Sequence, residues 1–429
     1  MGKCAWPIVV MVISLTKMPL YAQGPEWVVF DTLNSMLPSN QVQAIAADSG
    51  SVWIGTADGL ARYNGSTWKV YDTANTPLKS SFITAIATDG KGGVWVGTGN
   101  GVGWYDGSHW LVFDSTNAPF SNNFVTAIAR GPSGVIWIGT EDGVVQRNDS
   151  TWALFNDSTS GFIEDLVRSV SVGPDGTLWV GSFNTFNFVG RVWKYDGAQW
   201  TSTRLDLKGL PSSFPDALVA GTSTLRWLGT SGTTGGALIR IAGDQWNIFD
   251  HLNSGLPNSG ISSIALEDTL VWIATGAGLV SFDGTLWTVL DTDNSELPGN
   301  GLLAVALDSR GNKWAGTLAE GVAVYRKGGV LTSTGDDRPG TPGEITLLQN
   351  YPNPFNPGTT ISFSLSHQTF VSVRVFDALG RPVSTVVSEV LPAGKHARRW
   401  NAEALTAGVY FCRLQTGAFS QSRKMLLIK

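Results

Sequence analysis

The sequence predicts an all-β protein: a seven-bladed β-propeller with four-stranded blades, its last blade closed by the N-terminal strand, followed by a small Ig-like β-sandwich. Three observations predict it. A Trp-led tetrapeptide recurs seven times at a near-constant interval, a second tryptophan series runs in phase with it, and the period vanishes before residue 344. Composition agrees, because 51 Gly and 18 Trp with only 15 % charged residues suit short strands and tight turns better than helices.

The tetrapeptides are Trp53-Ile-Gly-Thr56, Trp95-Val-Gly-Thr98, Trp137-Ile-Gly-Thr140, Trp179-Val-Gly-Ser182, Trp227-Leu-Gly-Thr230, Trp272-Ile-Ala-Thr275 and Trp314-Ala-Gly-Thr317. The second series is Trp27, Trp68, Trp110, Trp152, Trp200, Trp246 and Trp287. Within one period lie four strand-like runs, for instance Ile83–Asp89, Val94–Thr98, Gly101–Tyr105 and Trp110–Phe113, which we call a, b, c and d from the axis outward. Asp89-Gly-Lys-Gly-Gly93 and Asp106-Gly107 supply reversals, since Gly and Asp tolerate the positive φ of tight turns. Small residues fall at matching places of strand a, as in Ala44/Ala46, Ala85/Ala87 and Ala127/Ala129, where blades crowd the axis; Ala217/Val219 departs from that rule. The seventh unit ends at Gly321–Tyr325 without an outer strand, and Trp27–Asp31 is an outer strand without a blade. The two are expected to pair, removing an open strand edge.

The segments WIGT at 53–56, GLARYNG at 59–65 and YDT at 71–73, with their repeats, make residues 24–327 resemble the two-component regulator propeller family. That resemblance implies a periplasmic sensing propeller of the kind joined to hybrid histidine kinases. With no kinase, receiver or membrane-spanning segment in this sequence, a kinase role is not expected.

Residues 1–22 carry an early lysine, an apolar run from Pro7 to Leu15 and a Leu20-Tyr21-Ala22 cleavage site, and read as a signal peptide. No later stretch approaches twenty apolar residues, so no membrane span is expected. Cys4 and Cys412 are the two cysteines, and loss of the first with the signal peptide excludes an internal disulfide. Residues 24–327 hold 17 Lys and Arg against 28 Asp and Glu, a balance of −11 that would repel a phosphate backbone; nucleic acid is excluded as a partner. A monomer is expected.

Residues 328–343, rich in Gly, Pro, Ser, Thr and Asp, read as a linker. Residues 344–429 turn basic, with 9 Lys and Arg against 4 Asp and Glu, and alternate as short strands. The run Tyr351-Pro352-Asn353-Pro354-Phe355-Asn356-Pro357, the segments Val375–Arg381 and Leu405–Phe411 with Gly408 and Tyr410, and the terminal Lys424–Lys429 resemble the type IX secretion C-terminal sorting domain. The resemblance implies an Ig-like fold, recognition by an outer-membrane secretion translocon, and a secreted or cell-surface-attached product of a Gram-negative bacterium. A plain Ig-like module is the alternative reading.

Catalytic chemistry finds little support. His109 precedes an outer-strand tryptophan and His251 begins a d-to-a loop; neither sits in a constellation of proton-transfer groups. No GxSxG, Walker, HExxH or paired CxxC motif occurs, and no cofactor is expected. Asp291, Asp293 and Asn294 form the best calcium candidate, but similar Asp/Asn loops recur in most units, where such side chains cap turns.

What breaks the repeat is more informative. The b-to-d tryptophan interval is 15 residues in units one, two, three and six, but 21 in unit four (179 to 200) and 19 in unit five (227 to 246). The extra residues fall between strands b and c, a loop that shares one face with the d-to-a loops. Phe183, Asn184, Phe186, Asn187 and Phe188 in unit four, with Thr233 and Thr234 in unit five, are therefore expected to contact a ligand, the aromatics stacking and the amides hydrogen-bonding. Trp104 joins them because its counterparts are Arg62, Gln146, Lys194 and Arg240, which implies a partly exposed position. The leading expectation is a non-catalytic recognition or scaffold propeller for a glycan or protein. The alternatives are a propeller lyase or hydrolase acting on a polysaccharide or small lactone, and a detached sensory partner of a two-component system.

Overall fold

The computed structural model describes residues 25–331 and 346–428, apart from 49, 163–165, 223, 224, 234, 349, 351, 352, 366, 393 and 418. They fall into two compact units, one on each side of the undescribed stretch 332–345. The expected signal peptide and most of the expected linker lie outside the described residues.

The first unit contains seven four-stranded sheets. Blade one shows the plan: strand a is Val42–Asp48, b Ser51–Thr56, c Gly59–Tyr63 and d Trp68–Tyr71, each antiparallel to the next. Blades two to six repeat it. The repeated tetrapeptide explains why. Its glycine leaves room for the first side chain of strand a in the next blade: a Cβ at Gly55 would lie 2.5 Å from Ile83 Cγ2, at Gly97 2.5 Å from Val125 Cγ1, at Gly139 2.5 Å from Val167 Cγ1 and at Gly316 2.5 Å from Val42 Cγ1. Blade six carries Ala274 instead and meets Leu302, which lacks a branched Cβ; both belong to one buried cluster. The threonine turns the chain into strand c, its hydroxyl donating to a carbonyl across the b-to-c turn, as from Thr98 to Gly101 at 2.9 Å and from Thr275 to Gly278 at 2.8 Å. In blades one, two, four and six the strand-d tryptophan packs on the last aromatic of strand c, at 4.6 Å between Tyr63 and Trp68 and 4.1 Å between Phe282 and Trp287.

Closure follows the sequence expectation. Trp27–Phe30 pairs with Val322–Tyr325 in register Trp27 to Tyr325, completing a sheet with strands Lys313–Thr317 and Leu302–Leu307. Trp27 is buried, its ring centroid 4.7 Å from that of Tyr325. The seal continues past residue 327. Val330 N–H donates to the Pro25 carbonyl and Leu331 N–H to Asn312 Oδ1, so residues 328–331 sit on the propeller rather than in a linker.

The d-to-a loops are fastened by their Asp and Asn side chains. Asp31, Asp72, Asp250 and Asp291 each accept two backbone N–H groups, two and three residues on, at 2.8–3.1 Å. Asn294, from the calcium candidate, accepts from Asp291 N–H and donates to the Val289 carbonyl. The oxygens of Asp291 and Asn294 thus cap a turn, as their counterparts do in other blades, and Asp293 contributes its backbone N–H to it. Asp114 differs in that its carboxylate is buried and pairs with Lys79 of the preceding loop. That ion pair, and then bonds from Thr116, hold its pKa down to about 2.

The second unit is a sandwich. Pro382–Leu391, Thr369–Asp377, Gly408–Thr416 and Phe419–Leu427 form one sheet in that order; Thr346–Leu347, Gly358–Leu365 and Gly394–Asn401 form the other. Their facing side chains, among them Ile361, Phe363, Val373, Trp400, Leu414 and Met425, make one core. Cys412 lies inside it, and burial pushes its thiol up to about 12.

Two outcomes are expected. Trp27→Ala removes the large buried ring at the seam and should lower the unfolding free energy by about 3–5 kcal/mol in a urea titration. Because the Asp114 pKa is below its ordinary value, the stability it contributes is complete above about pH 4 and disappears as pH falls toward 2. The stability difference between the parent and Asp114→Asn should therefore be constant near neutrality and shrink across that acid window.

Candidate functional site

The upper face, where strands b end and a and c begin, changes character at blades four and five. In blade four the extra residues lengthen a hairpin: strand b runs Leu178–Asn184 and strand c Val189–Tyr195, with register to Phe183–Gly190 and Asn184–Val189. The four-residue turn 185–188 projects from it. Phe186 is 85 % and Phe188 62 % exposed, and Phe188 holds a φ of +58°, a left-handed conformation costly for a bulky side chain.

Two expectations about this loop need correction. Phe183 is buried, because pairing continues through it and its ring stacks on Phe214 at 3.9 Å between centroids; it supports the site instead of meeting a ligand. The side-chain oxygens of Asn184 and Asn187 are used internally: Asn184 Oδ1 accepts from Phe186 and Asn187 N–H at 3.0 and 3.1 Å, and Asn187 Oδ1 from Val189 N–H at 3.2 Å. These amides shape the turn that presents the two phenylalanines.

Blade five solves its insertion differently. Ser231 and Gly232 pair with Phe214 and Ser213 of strand a, while Gly235 and Gly236 press on the next d-to-a loop. A Cβ at Gly235 would lie 2.2 Å from Asn258 Oδ1, and one at Gly236 2.3 Å from the Ser259 carbonyl. Close backbone approach therefore explains the glycines. Thr233 is exposed on this turn; Thr234 lies outside the described residues.

Between the two hairpins stand residues that sequence reasoning missed. Arg168 of strand a in blade four donates Nε–H to Asp216 Oδ1 of strand a in blade five at 2.7 Å, and its guanidinium lies 5.6 Å from the Phe214 ring centroid. Ser231 Oγ–H donates to the other Asp216 oxygen. Both charged residues occupy the register shift near the start of strand a, where other blades place Gln43, Thr84, Thr126, Ser262 and Leu303. A charge of each sign at that position, in the two blades carrying insertions, was the available signal.

Trp104 does not join this group. It is paired with Trp95 and Leu111 one residue before the c-to-d turn, toward the opposite face. There it stacks on Trp95, and the Arg147 guanidinium sits among Trp95, Phe113, Trp152 and Trp104 at 4.8–5.9 Å. It is an interblade packing residue. Of the propeller histidines, His109 is exposed on a c-to-d turn beside Asp106, whereas His251, on the upper-face loop after blade five, adjoins the blade-five turn, its Nδ1 3.9 Å from where a Cβ on Gly235 would stand.

In the sandwich, Phe355 is buried and its N–H and carbonyl bond to the Leu426 carbonyl and Ile428 N–H; Asn353 Oδ1 accepts from Leu426 N–H at 2.6 Å. The Pro357 carbonyl accepts from Ala402 N–H, and buried Tyr410 donates its hydroxyl hydrogen to the Thr406 carbonyl at 2.7 Å. Pro354 and Asn356 lie on the segment between, Gly408 begins its strand with φ +156°, and Tyr351, Pro352 and Lys429 are outside the described residues. The motif thus latches the last strand to the domain. Residues 349–429 match the family model described as a secretion system C-terminal sorting domain. The second unit is thus similar to secretion-system C-terminal sorting domains.

The sorting domain makes the protein a secreted or cell-surface product of a Gram-negative bacterium. Residues 77–100 and 119–142 match the two component regulator propeller model. No curated protein matches the chain. Among solved structures, the extracellular domain of the hybrid two component system BT3049 from B. thetaiotaomicron is 17 % identical with a TM-score of 0.58, over 94 % of this chain and 57 % of that one. PorZ, a bacterial surface component of the type-IX secretion system of Porphyromonas gingivalis, is 18 % identical with a TM-score of 0.55, over 94 % and 61 %. Virginiamycin B lyase from Staphylococcus aureus is 15 % identical with a TM-score of 0.56, over 70 % and 98 %. The chain thus spans about three fifths of the first two structures. At these identities the likeness shows the propeller fold.

Proposed function

We propose that the exported propeller is a non-catalytic recognition module that binds a glycan or a protein segment through the upper face of blades four and five. One observation carries this reading. Phe186 and Phe188 stand exposed on a turn found in one blade of seven, one of them in a strained backbone conformation, beside the Arg168–Asp216 pair. Large exposed aromatic rings are costly to leave in water and are the groups that stack on sugar rings or receive apolar side chains. Strain of about 1–3 kcal/mol persists where the surrounding structure enforces it and where it presents a contact. The ion pair adds a polar, hydrogen-bonding floor beside the aromatics, the usual composition of a recognition patch. Its groups are already engaged with each other, with Ser231 and with Phe214, an arrangement suited to holding a surface in place.

The test is a glycan and peptide array on the purified protein, followed by titration of whichever ligand binds. Phe186→Ala and Phe188→Ala should each weaken that ligand by about tenfold, roughly 1–2 kcal/mol, while leaving the melting temperature unchanged. Equal affinity of parent and both variants would reject the site.

A further inference from the structure

In four of the seven blades the tryptophan of strand b carries a cation on its ring. The Arg62 guanidinium lies 5.0 Å from the Trp53 ring centroid, Arg147 4.8 Å from Trp95, Arg226 5.1 Å from Trp179 and the Lys313 ammonium 5.0 Å from Trp272. Blade one shows how such a group is placed. Arg62 stands opposite Trp53 in the register of strands b and c, on the same side of the sheet, and donates its Nε–H to Ser51 Oγ at 3.0 Å. Blade three repeats this backbone with other side chains. Gln146 stands opposite Trp137 and Val135 takes the place of Ser51, and no cation lies on the Trp137 ring among the described residues. With the shorter Gln146 there, a cavity of about 250 Å³ opens between blades three and four, lined by Trp137, Val135 and Gln146 from one side and Tyr195 from the other. The space beside Trp314, which faces Val324 across the strands, measures only about 20 Å³ and has Arg310 among its walls.

We infer that the cavity between blades three and four is a binding site for an arginine side chain presented by a partner protein segment. The other blades supply the chemistry, because the same tryptophan position holds a cation in four of them, an arginine in three. A guanidinium is planar and weakly hydrated and stacks on aromatic faces, which favours it over an ammonium. Both blades contribute aromatic surface, Tyr195 meeting Trp137 edge to face with ring centroids 5.9 Å apart. The Gln146 side chain makes no hydrogen bond among the described residues, so its amide oxygen is available as an acceptor. No charged side chain is among the cavity's walls, and the place of the cation is open. The size and the mouth select a side chain over a whole small molecule. Pockets that enclose drug-sized ligands run to roughly 300–1,000 Å³. The mouth lies on the face opposite the turn bearing Phe186 and Phe188, beside the exposed Gly176 and Gly197, and a Cβ on either glycine would meet nothing within 4 Å. Bare turns of this kind let a slender group enter from a surface resting on that face.

The experiment titrates the full chain with the peptide acetyl-Gly-Gly-Arg-Gly-Gly-amide and with the same peptide carrying citrulline, the neutral isostere of arginine. Indole N–H resonances are followed by heteronuclear NMR, and that of Trp137 is assigned from its loss in Trp137→Phe. The arginine peptide should shift the Trp137 resonance saturably, with a Kd on the order of 1 mM, and the citrulline peptide should bind about tenfold more weakly. Gln146→Arg gives blade three the side chain of blade one. It should leave the melting temperature unchanged or raised and weaken the arginine peptide by about tenfold or more. If it melts lower than the parent, Gln146→Lys, the residue of blade four, takes its place. Equal binding of the two peptides would overturn the requirement for a cation. An unmoved Trp137 resonance, or undiminished binding to the Gln146 variant, would overturn the site. Methylguanidinium alone is the remaining arm: binding weaker than the peptide's is expected, and binding as tight would overturn a protein partner in favour of a small free cation.

Discussion

Five of the seven blade junctions rest on one contact, a branched side chain near the start of strand a seated on the glycine of the preceding Trp-x-Gly-Thr segment, while Gly181 faces Pro215 and blade six carries Ala274. A methyl group at Gly97 would reach within 2.5 Å of Val125 Cγ1, closer than two carbon atoms tolerate, so the spacing between sheets is fixed by the absence of a side chain. The same geometry holds at Gly55, Gly139 and Gly229, and across the closing seam at Gly316 against Val42. The seam then needs only the pairing of Trp27–Phe30 with Val322–Tyr325 to leave the last blade as complete as the rest.

Much of this is legible in the amino-acid sequence, because a repeat amplifies weak local signals. The blade count, the order of strands within a blade and the role of the N-terminal strand all follow from the spacing of tryptophans and from a final unit lacking its outer strand. The site was less legible. The expected loop at 183–188 became two strand extensions and a tight turn, since antiparallel pairing continued as far as Asn184 and buried Phe183 against Phe214. Which residue of an insertion points outward depends on strand alternation, and that is settled only when the hairpin register is known. Trp104 misled for a related reason. Its counterparts are polar, yet its neighbour across the blade gap is Arg147, which replaces an aromatic and draws four rings around itself. The Arg168–Asp216 pair was hidden because its members lie 48 residues apart and meet through the packing of two inner strands.

The two parts of the chain divide their work by where each places its exceptional residues. In the propeller the repeated aromatics are consumed by packing between blades, and the exposed phenylalanines sit where the repeat is broken. In the sorting domain the recognisable motif is consumed in the same way, Phe355 and Tyr410 being buried and Asn353 holding the last strand. In both, the residues that make the family recognisable are structural.

The central claim, that interblade spacing is set by the glycine contact, is tested most directly by a double-mutant cycle on Gly97 and Val125, with unfolding free energies measured by urea titration. Gly97→Ala should be destabilising on its own, by about 1–3 kcal/mol, and most of that loss should vanish when Val125→Ala removes the opposing methyl groups. Additive losses in the double variant would mean that the two positions do not bear on each other, and would contradict the account of how the ring is built.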